Sequence, residues 1–345
     1  MGRGNQFAVF FDQIILNLPT TDLIPNSILM ISFLYKENSR IRILDINNSI
    51  DEFAGREILG VDLDVPTEKE IVLIENYFGI QLLSWQKAEE IESSSRYFET
   101  IDTIRANSNF LKVENGHYDT VPVSFTLKGK VMLSYHNESI KTFQAIYERL
   151  QSQTIEQIDG YDIFLVLLDV RIDYIADIIE GIGRTINEMT KTIRIEKDLD
   201  EDSILAISVL QEATMLIREN IVDKQRVMSA ILKSVRFPAK KDERIRIMLK
   251  DTGSLLTHTA FSFERLEFLQ NTFLGLMNIE QNKIIKMFSV VAVIFMPPTL
   301  IASMYGMNFK LLPELEWQFG YPFAILLMIA SSGFTLLYFR RKGWL

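Results

Sequence analysis

Between Lys286 and Lys310 the chain runs for 23 residues, Met287 to Phe309, without a formal charge, and between Glu316 and Arg340 for another 23, Trp317 to Phe339. At 1.5 Å per residue each run makes a helix of roughly 34 Å, enough to cross a hydrocarbon layer of about 30 Å. Two such segments in tandem exceed what a soluble core needs, so both are expected to be transmembrane helices. Neither lies near the N-terminus, so neither reads as a secretory signal. Arg340, Arg341 and Lys342 directly follow the second run. The positive-inside rule then places the C-terminus in the cytoplasm, and two crossings place the first 283 residues there too. The connecting loop lies outside, with Trp317 and Tyr321 suited to the interface on that side.

Charge and composition narrow the function. The formal charge is −9, but residues 284–345 carry five basic against two acidic side chains, leaving −12 on residues 1–283. An acidic body of this kind is a poor partner for nucleic acid. With 48% apolar and 23% charged residues the chain has the makings of a packed core. It contains no cysteine, which excludes disulfides, thiol catalysis and thiolate metal sites. The three histidines, His117, His136 and His258, have no metal-ligand spacing and read as solvated or locally paired side chains. No phosphate-binding G-x-x-x-x-G-K-[ST] occurs, so an ATP-driven pump is disfavoured, and no enzyme activity or organic cofactor is expected.

The organisation reads as α+β. Residues 1–140 form an α/β cytosolic domain, with strands expected over Ile28–Tyr35 and Arg40–Leu44 and a hairpin of Val121–Leu127 and Val131–Tyr135 around Lys128-Gly129-Lys130. Residues 141–240 form a long helical hairpin. Its first arm, Asp162–Ile195, carries Leu165, Leu168, Ile172, Ile175, Ile179, Ile182 and Ile186 at helical spacing, and its second runs over Ser203–Phe237. The acidic turn between them offers Asp202 or Ser203 as N-cap. A stalk helix over 241–283 continues into the first membrane helix, 284–309. An external loop, 310–320, a second membrane helix, 321–340, and a cytosolic tail, 341–345, complete the chain. Leu266, Leu269, Phe273 and Leu276 step along the stalk as a core stripe or a coiled-coil seam.

That stepping continues into the first run as Asn282, Ile285, Ser289, Ala292, Met296, Thr299 and Ser303. All but Ile285 and Met296 are small or polar, whereas the other faces carry bulky residues such as Phe288, Val291, Ile294 and Leu300. Such a stripe either packs helices through small residues or lines water. A two-span chain cannot enclose an aqueous path alone, so a pore requires several copies. Pro297-Pro298 removes two backbone donors inside the span, a defect tolerated where a neighbouring helix or water satisfies the freed carbonyls.

The first run closes on Tyr305-Gly306-Met307-Asn308-Phe309. Gly-Met-Asn at the outer end of the first of two C-terminal spans is similar to the hallmark of the CorA family of magnesium and cobalt transport proteins. The resemblance extends to Asn278-Ile279-Glu280-Gln281-Asn282, Phe295-Met296-Pro297-Pro298-Thr299, Pro313-Glu314-Leu315, Phe319-Gly320-Tyr321-Pro322 and Phe339-Arg340-Arg341-Lys342-Gly343-Trp344-Leu345. Upstream it is strongest around Glu89-Glu90-Ile91-Glu92 and Val123-Ser124-Phe125-Thr126. Related zinc exporters usually carry valine in the middle of the tripeptide, so Met307 favours the magnesium branch.

The resemblance implies a homopentameric funnel in the membrane lipid of a prokaryotic inner membrane, with both termini cytoplasmic. Mg²⁺ is then both cargo and regulator, and Co²⁺ and Ni²⁺ are further cargo. Gly306, Met307 and Asn308 form the selectivity filter, beside Glu314 of the external loop. Asn282, Ile285, Phe288, Ser289, Ala292, Met296, Thr299 and Ser303 line the pore, with Ile285 and Phe288 standing where relatives place methionine and leucine. Mg²⁺ sheds its waters reluctantly, so a mouth of neutral acceptors such as Asn308 carbonyls suits the hydrated ion. A regulatory Mg²⁺ between protomers is implied with Glu90 as one ligand; its stalk partner is Asn271 in place of an aspartate, with Glu267 and Glu264 as substitutes. Two alternatives remain: efflux of zinc or another divalent cation on the same fold, and a non-conducting membrane-anchored sensor or scaffold.

Overall fold

The computed structural model describes residues 31–38, 40–45, 53, 55–82, 96–114, 116–140, 143, 146–147, 150–151, 158–195, 201–307 and 317–343. It divides into two units, Met1–Leu269 and Gln270–Leu345, with the boundary inside the expected stalk.

In the first unit seven strands form one sheet in the order β2-β1-β3-β7-β6-β5-β4. They are β1 (Ile31–Glu37), β2 (Arg40–Asp45), β3 (Glu57–Asp64), β4 (Tyr97–Glu99), β5 (Thr103–Glu114), β6 (His117–Lys128) and β7 (Val131–His136). Only β3 and β7 pair in parallel; the other pairings are antiparallel, so the expected α/β domain is a mixed sheet. The β6–β7 hairpin turns on Gly129 at φ +58°, where glycine has no Cβ to clash. Of the expected first strand, residues 28–30 lie outside the described residues. The two-residue period of the strands sorts apolar side chains to two faces. Ile31, Phe33 and Tyr35 of β1 join Val61, Leu63 and Leu133 beneath helix α1 (Glu68–Phe78) through its Ile74. Leu34, Leu59, Phe125 and Met132 face the opposite way. Leu59 reaches that side because the β1–β3 register skips it, a bulge that re-aims one residue. Thr67 and Glu70 cap α1 reciprocally, and Gly79 ends it in the left-handed region.

The second face is covered by helices α2 (Gly160–Ile195), α3 (Glu201–Ile231) and the start of α4 (Asp242–Tyr305). All seven residues of the spacing in the first arm are buried, as a 3.6-residue period on one face requires. Beyond the sheet α2 and α3 pack as a hairpin through Ile179, Ile182, Ile186, Leu210 and Ile217, joined by Leu266 and Leu269 of α4. Those two stalk residues are therefore a core stripe. α3 differs from expectation at both ends. It starts at Glu201, so Asp202 and Ser203 lie inside its first turn and are not its cap, and it ends at Ile231, short of Phe237. Lys241, buried ahead of α4, donates to Asp159 Oδ1 at 2.9 Å and pairs with Asp162, the two carboxylates that cap the start of α2.

The β5 edge beyond the short β4 is closed by side chains instead of a strand. Asp223 of α3 accepts from Asn109 N at 2.9 Å and from Ser108 Oγ at 2.8 Å, while Asn220 Nδ2 and Lys224 Nζ both donate to the Asn109 carbonyl at 2.8 Å. Arg171 of α2 donates to the carbonyl of Leu111. Across β6, Asn109 faces Pro122, which has no N–H to give.

In the second unit α4 continues to Tyr305 with Pro297 and Pro298 inside it, and α5 spans Gly320–Arg341. Both are long and apolar enough to cross a membrane.

Candidate functional site

Along the membrane-length part of α4, Val290 is buried and Ile294, Pro297, Pro298, Ile301 and Tyr305 are half-buried. Ser332 of α5 reaches this face, its Oγ donating to the Ile294 carbonyl at 3.4 Å. That carbonyl is the one Pro298 leaves without its helical donor, so α5 repairs half of the defect made by the two prolines.

The stripe read from the sequence lies elsewhere. Asn282, Ile285, Ser289, Ala292, Met296, Thr299 and Ser303 are all exposed in the single chain. At about 100° per residue the stripe from Ile285 to Ser303 and the half-buried face sit about 170° apart on the helix. Phe288, flanking the stripe, is 66% exposed. Two hydroxyls on the stripe are already committed as donors: Ser289 Oγ gives its proton to the Ile285 carbonyl and Thr299 Oγ to the Phe295 carbonyl, each at 2.8 Å. With the hydrogen turned back onto the helix, each oxygen presents lone pairs outward, an acceptor suited to the protons of water around a cation.

Tyr305 ends the helix, and the chain leaves by two further bonds, Gly306 N to the Ala302 carbonyl at 2.9 Å and Met307 N to the Met304 carbonyl at 3.3 Å. Gly306 is not in the left-handed region, but a Cβ there would lie 3.3 Å from the Ala302 carbonyl oxygen, a close approach that suits glycine. Met307 is exposed. Asn308 and Glu314 lie outside the described residues, as does Glu90. Glu264, Glu267 and Asn271 are exposed on α4. Among the described residues no three His, Cys, Asp or Glu side chains gather into a metal cage.

The sequence did not reveal two buried polar clusters in the first unit. His136 is not solvated, and its pairing is local on one side only: it is 1% exposed, with Nδ1 at 2.8 Å from the Glu138 carbonyl two residues on and Nε2 at 3.2 Å from Asp62 Oδ1 on another strand. Asp64 Oδ1 lies 3.5 Å from Nδ1. Burial presses the imidazole toward neutrality, but the charge and hydrogen bond of Asp62, aided by Asp64 and the Glu138 carbonyl, outweigh it and hold the ring above its ordinary value. In the second cluster burial pulls the Lys224 ammonium down to about 7; Asp223 opposes this, and Arg171 and Arg96 add to it. No spacing rule could find either cluster, because Asp62 and His136, or Asn109 and Lys224, meet only through the fold.

Residues 58–341 match the family model described as CorA-like Mg²⁺ transporter protein. The chain belongs to this family. Among curated relatives, the magnesium transport protein CorA of Pectobacterium atrosepticum is 34% identical over 319 residues, covering 92% of this chain and 100% of that protein. The protein of the same name from Escherichia coli strain K12 is 33% identical over the same shares. The complete structure of the CorA magnesium transporter from Methanocaldococcus jannaschii superimposes with a TM-score of 0.76 at 19% identity, covering 94% of this chain and 100% of that one. The full-length CmaX protein gives 0.68 at 15% identity over 93% and 100%. These two structures share the fold. The family is one of transporters rather than enzymes, as the sequence led one to expect.

Proposed function

We propose that the chain is a membrane channel that carries Mg²⁺ into the cytoplasm down the electrochemical gradient, with Co²⁺ and Ni²⁺ as further cargo. The observation that carries this reading is the acceptor-bearing stripe of α4, exposed on the side away from α5, in a chain whose relatives are magnesium transport proteins. Small and polar side chains on that side are exposed in the single chain, and several copies around an axis give them one common lumen. Five copies form the assembly in this reading. Contact between copies, though not their number, is supported by Ile247, Phe261 and Phe268, exposed apolar residues spaced by sevens or multiples of seven on α4, the repeat through which helices pair with helices.

Gly306, Met307 and Asn308 form the outer filter in this assignment, beside Glu314, and Asn308 carbonyls accept hydrogen bonds from the waters of the arriving ion. Thr299, Ser303 and Asn282 are polar stations, Ser289 and Ala292 keep the wall narrow in bulk, and Met296, Ile285 and Phe288 are apolar collars that close by dewetting. Both termini face the cytoplasm of a prokaryotic inner membrane. Mg²⁺ held between chains by Glu90, with Glu264, Glu267 and Asn271 on the stalk side, favours the closed state.

Uptake into proteoliposomes tests this reading. Asn308→Ala should lose Mg²⁺ entry by at least about ten-fold while keeping the wild-type oligomer, since it removes an acceptor ring and no core contact. Wild-type flux through that variant sinks the filter assignment, and absence of flux in the wild type leaves the scaffold reading in its place.

A further inference from the structure

α4 enters its uncharged run just after Lys286, and α5 leaves its own at Arg340, so one end of the helix pair gathers Lys283, Lys286, Arg340, Arg341 and Lys342. Lys283 has a carboxylate, Glu280, at 3.4 Å. The other four have no acidic partner among the described residues. From Lys286 a cleft of about 490 Å³ runs along the helices, walled by Ser289, Val290, Val293 and Phe339. Its mouth is cationic and its walls are apolar. Ser289 adds no free donor, since its hydroxyl proton goes to the Ile285 carbonyl at 2.8 Å.

We propose that this cleft is a binding site for one anionic phospholipid per chain, its phosphate held by Lys286 and one acyl chain lying along Val290 and Val293. The inference goes beyond ion conduction and rests on the reading of α4 and α5 as membrane-spanning. The cleft has the two-part chemistry of such a lipid: a cluster of cations at the level of the headgroups and an uncharged wall pointing into the hydrocarbon. A free phosphate would use only the mouth. A second copy of the chain could cover the walls, but the cleft asks for an anion at Lys286 as well as apolar cover over Val290 and Val293. The anionic headgroup meets both demands at once.

Native mass spectrometry of the full-length protein in mild detergent, titrated with phosphatidylglycerol or phosphatidylcholine, tests the site. Phosphatidylglycerol should bind at about ten-fold lower concentration, up to one molecule per chain, and Lys286→Gln should bring the two lipids within about two-fold. Lys283→Gln, whose ammonium already has Glu280, should leave the preference intact. Val293→Trp, which fills the cleft but keeps the charge, should reduce retention of phosphatidylglycerol. Equal binding of the two lipids to the wild type, or an unchanged preference in Lys286→Gln, overturns the proposal. So does displacement of the lipid by millimolar inorganic phosphate, or efficient cross-linking of Val293→Cys between copies. Reconstitution into liposomes is scored separately: a protein that enters bilayers without lipid preference loses only this site, whereas one that never enters them loses the membrane reading.

Discussion

At the scale of the residue, His136 shows what a sequence conceals. A histidine with acceptors on both ring nitrogens, Asp62 on one and the Glu138 carbonyl and Asp64 on the other, is arranged for the imidazolium. Ser134 Oγ donates to the same Asp62 oxygen at 2.5 Å, and the Phe143 ring lies 4.8 Å from the imidazole. Because the folded state holds this ring above its ordinary value, its stabilising contribution is fully present below about pH 6.5 and is lost as pH rises through the raised folded value. The melting temperature of the purified protein should therefore fall with rising pH in that window, and His136→Gln should flatten the slope. Asp64, whose carboxyl burial pushes upward against the pull of His136, is separated from it by running Asp64→Asn alongside. An equal slope in wild type and His136→Gln places the titrating group elsewhere. The exposed stripe of α4 was legible where this cluster was not. Ser289, Thr299 and Ser303 stand out as polar letters at three- and four-residue steps among aliphatic ones, a pattern within one helix that needs no knowledge of the fold.

At the scale of the element, the long helices were readable because a sustained 3.6-residue period over tens of residues has no competing explanation. β5 was not. Its Asn107, Ser108 and Asn109 look like a turn, yet all lie inside a twelve-residue strand, and the helix that partners Ser108 and Asn109 comes over a hundred residues later. The caps of α3 were misplaced for a related reason: an acidic run offers several equivalent starts. Junctions between elements carry their own constraint. A Cβ on Gly160 would lie 2.5 Å from Met132 N and 2.7 Å from Lys130 O, where the first residue of α2 touches the β6–β7 hairpin and Gly160 N bonds the Lys130 carbonyl at 2.7 Å. Gly160→Ala should cost about 1–3 kcal/mol by forcing helix and hairpin apart. Gly253, with nothing within 4 Å of its Cβ position, is the control: Gly253→Ala should gain up to about 1 kcal/mol from helix propensity alone. Denaturant midpoints of the two variants check both, and no loss in Gly160→Ala removes the close contact from consideration.

At the scale of the whole molecule, self-repulsion and cation binding meet. A body of −12 per chain, gathered with copies of itself, should be held together more tightly by divalent ions at the contacts. Limited proteolysis of the assembled, conducting protein should show the stretch after Phe237 and the stalk near Glu264 protected by Mg²⁺ and cut faster with chelator. Glu90→Ala combined with Glu267→Ala should lessen that protection and raise flux at high internal Mg²⁺. Identical cleavage with and without Mg²⁺ removes the gating assignment while leaving conduction untouched. How the copies meet is constrained from another side. Asn220, Asp223 and Lys224 occupy both outward groups of Asn109 and Arg171 takes the carbonyl of Leu111, so the ladder of β5 is largely taken up along that stretch. An open rim there would be a template on which a nascent or damaged neighbour could add a strand of its own and begin an aggregate. Helix side chains have taken that position first, which guards this edge of the sheet against strand exchange.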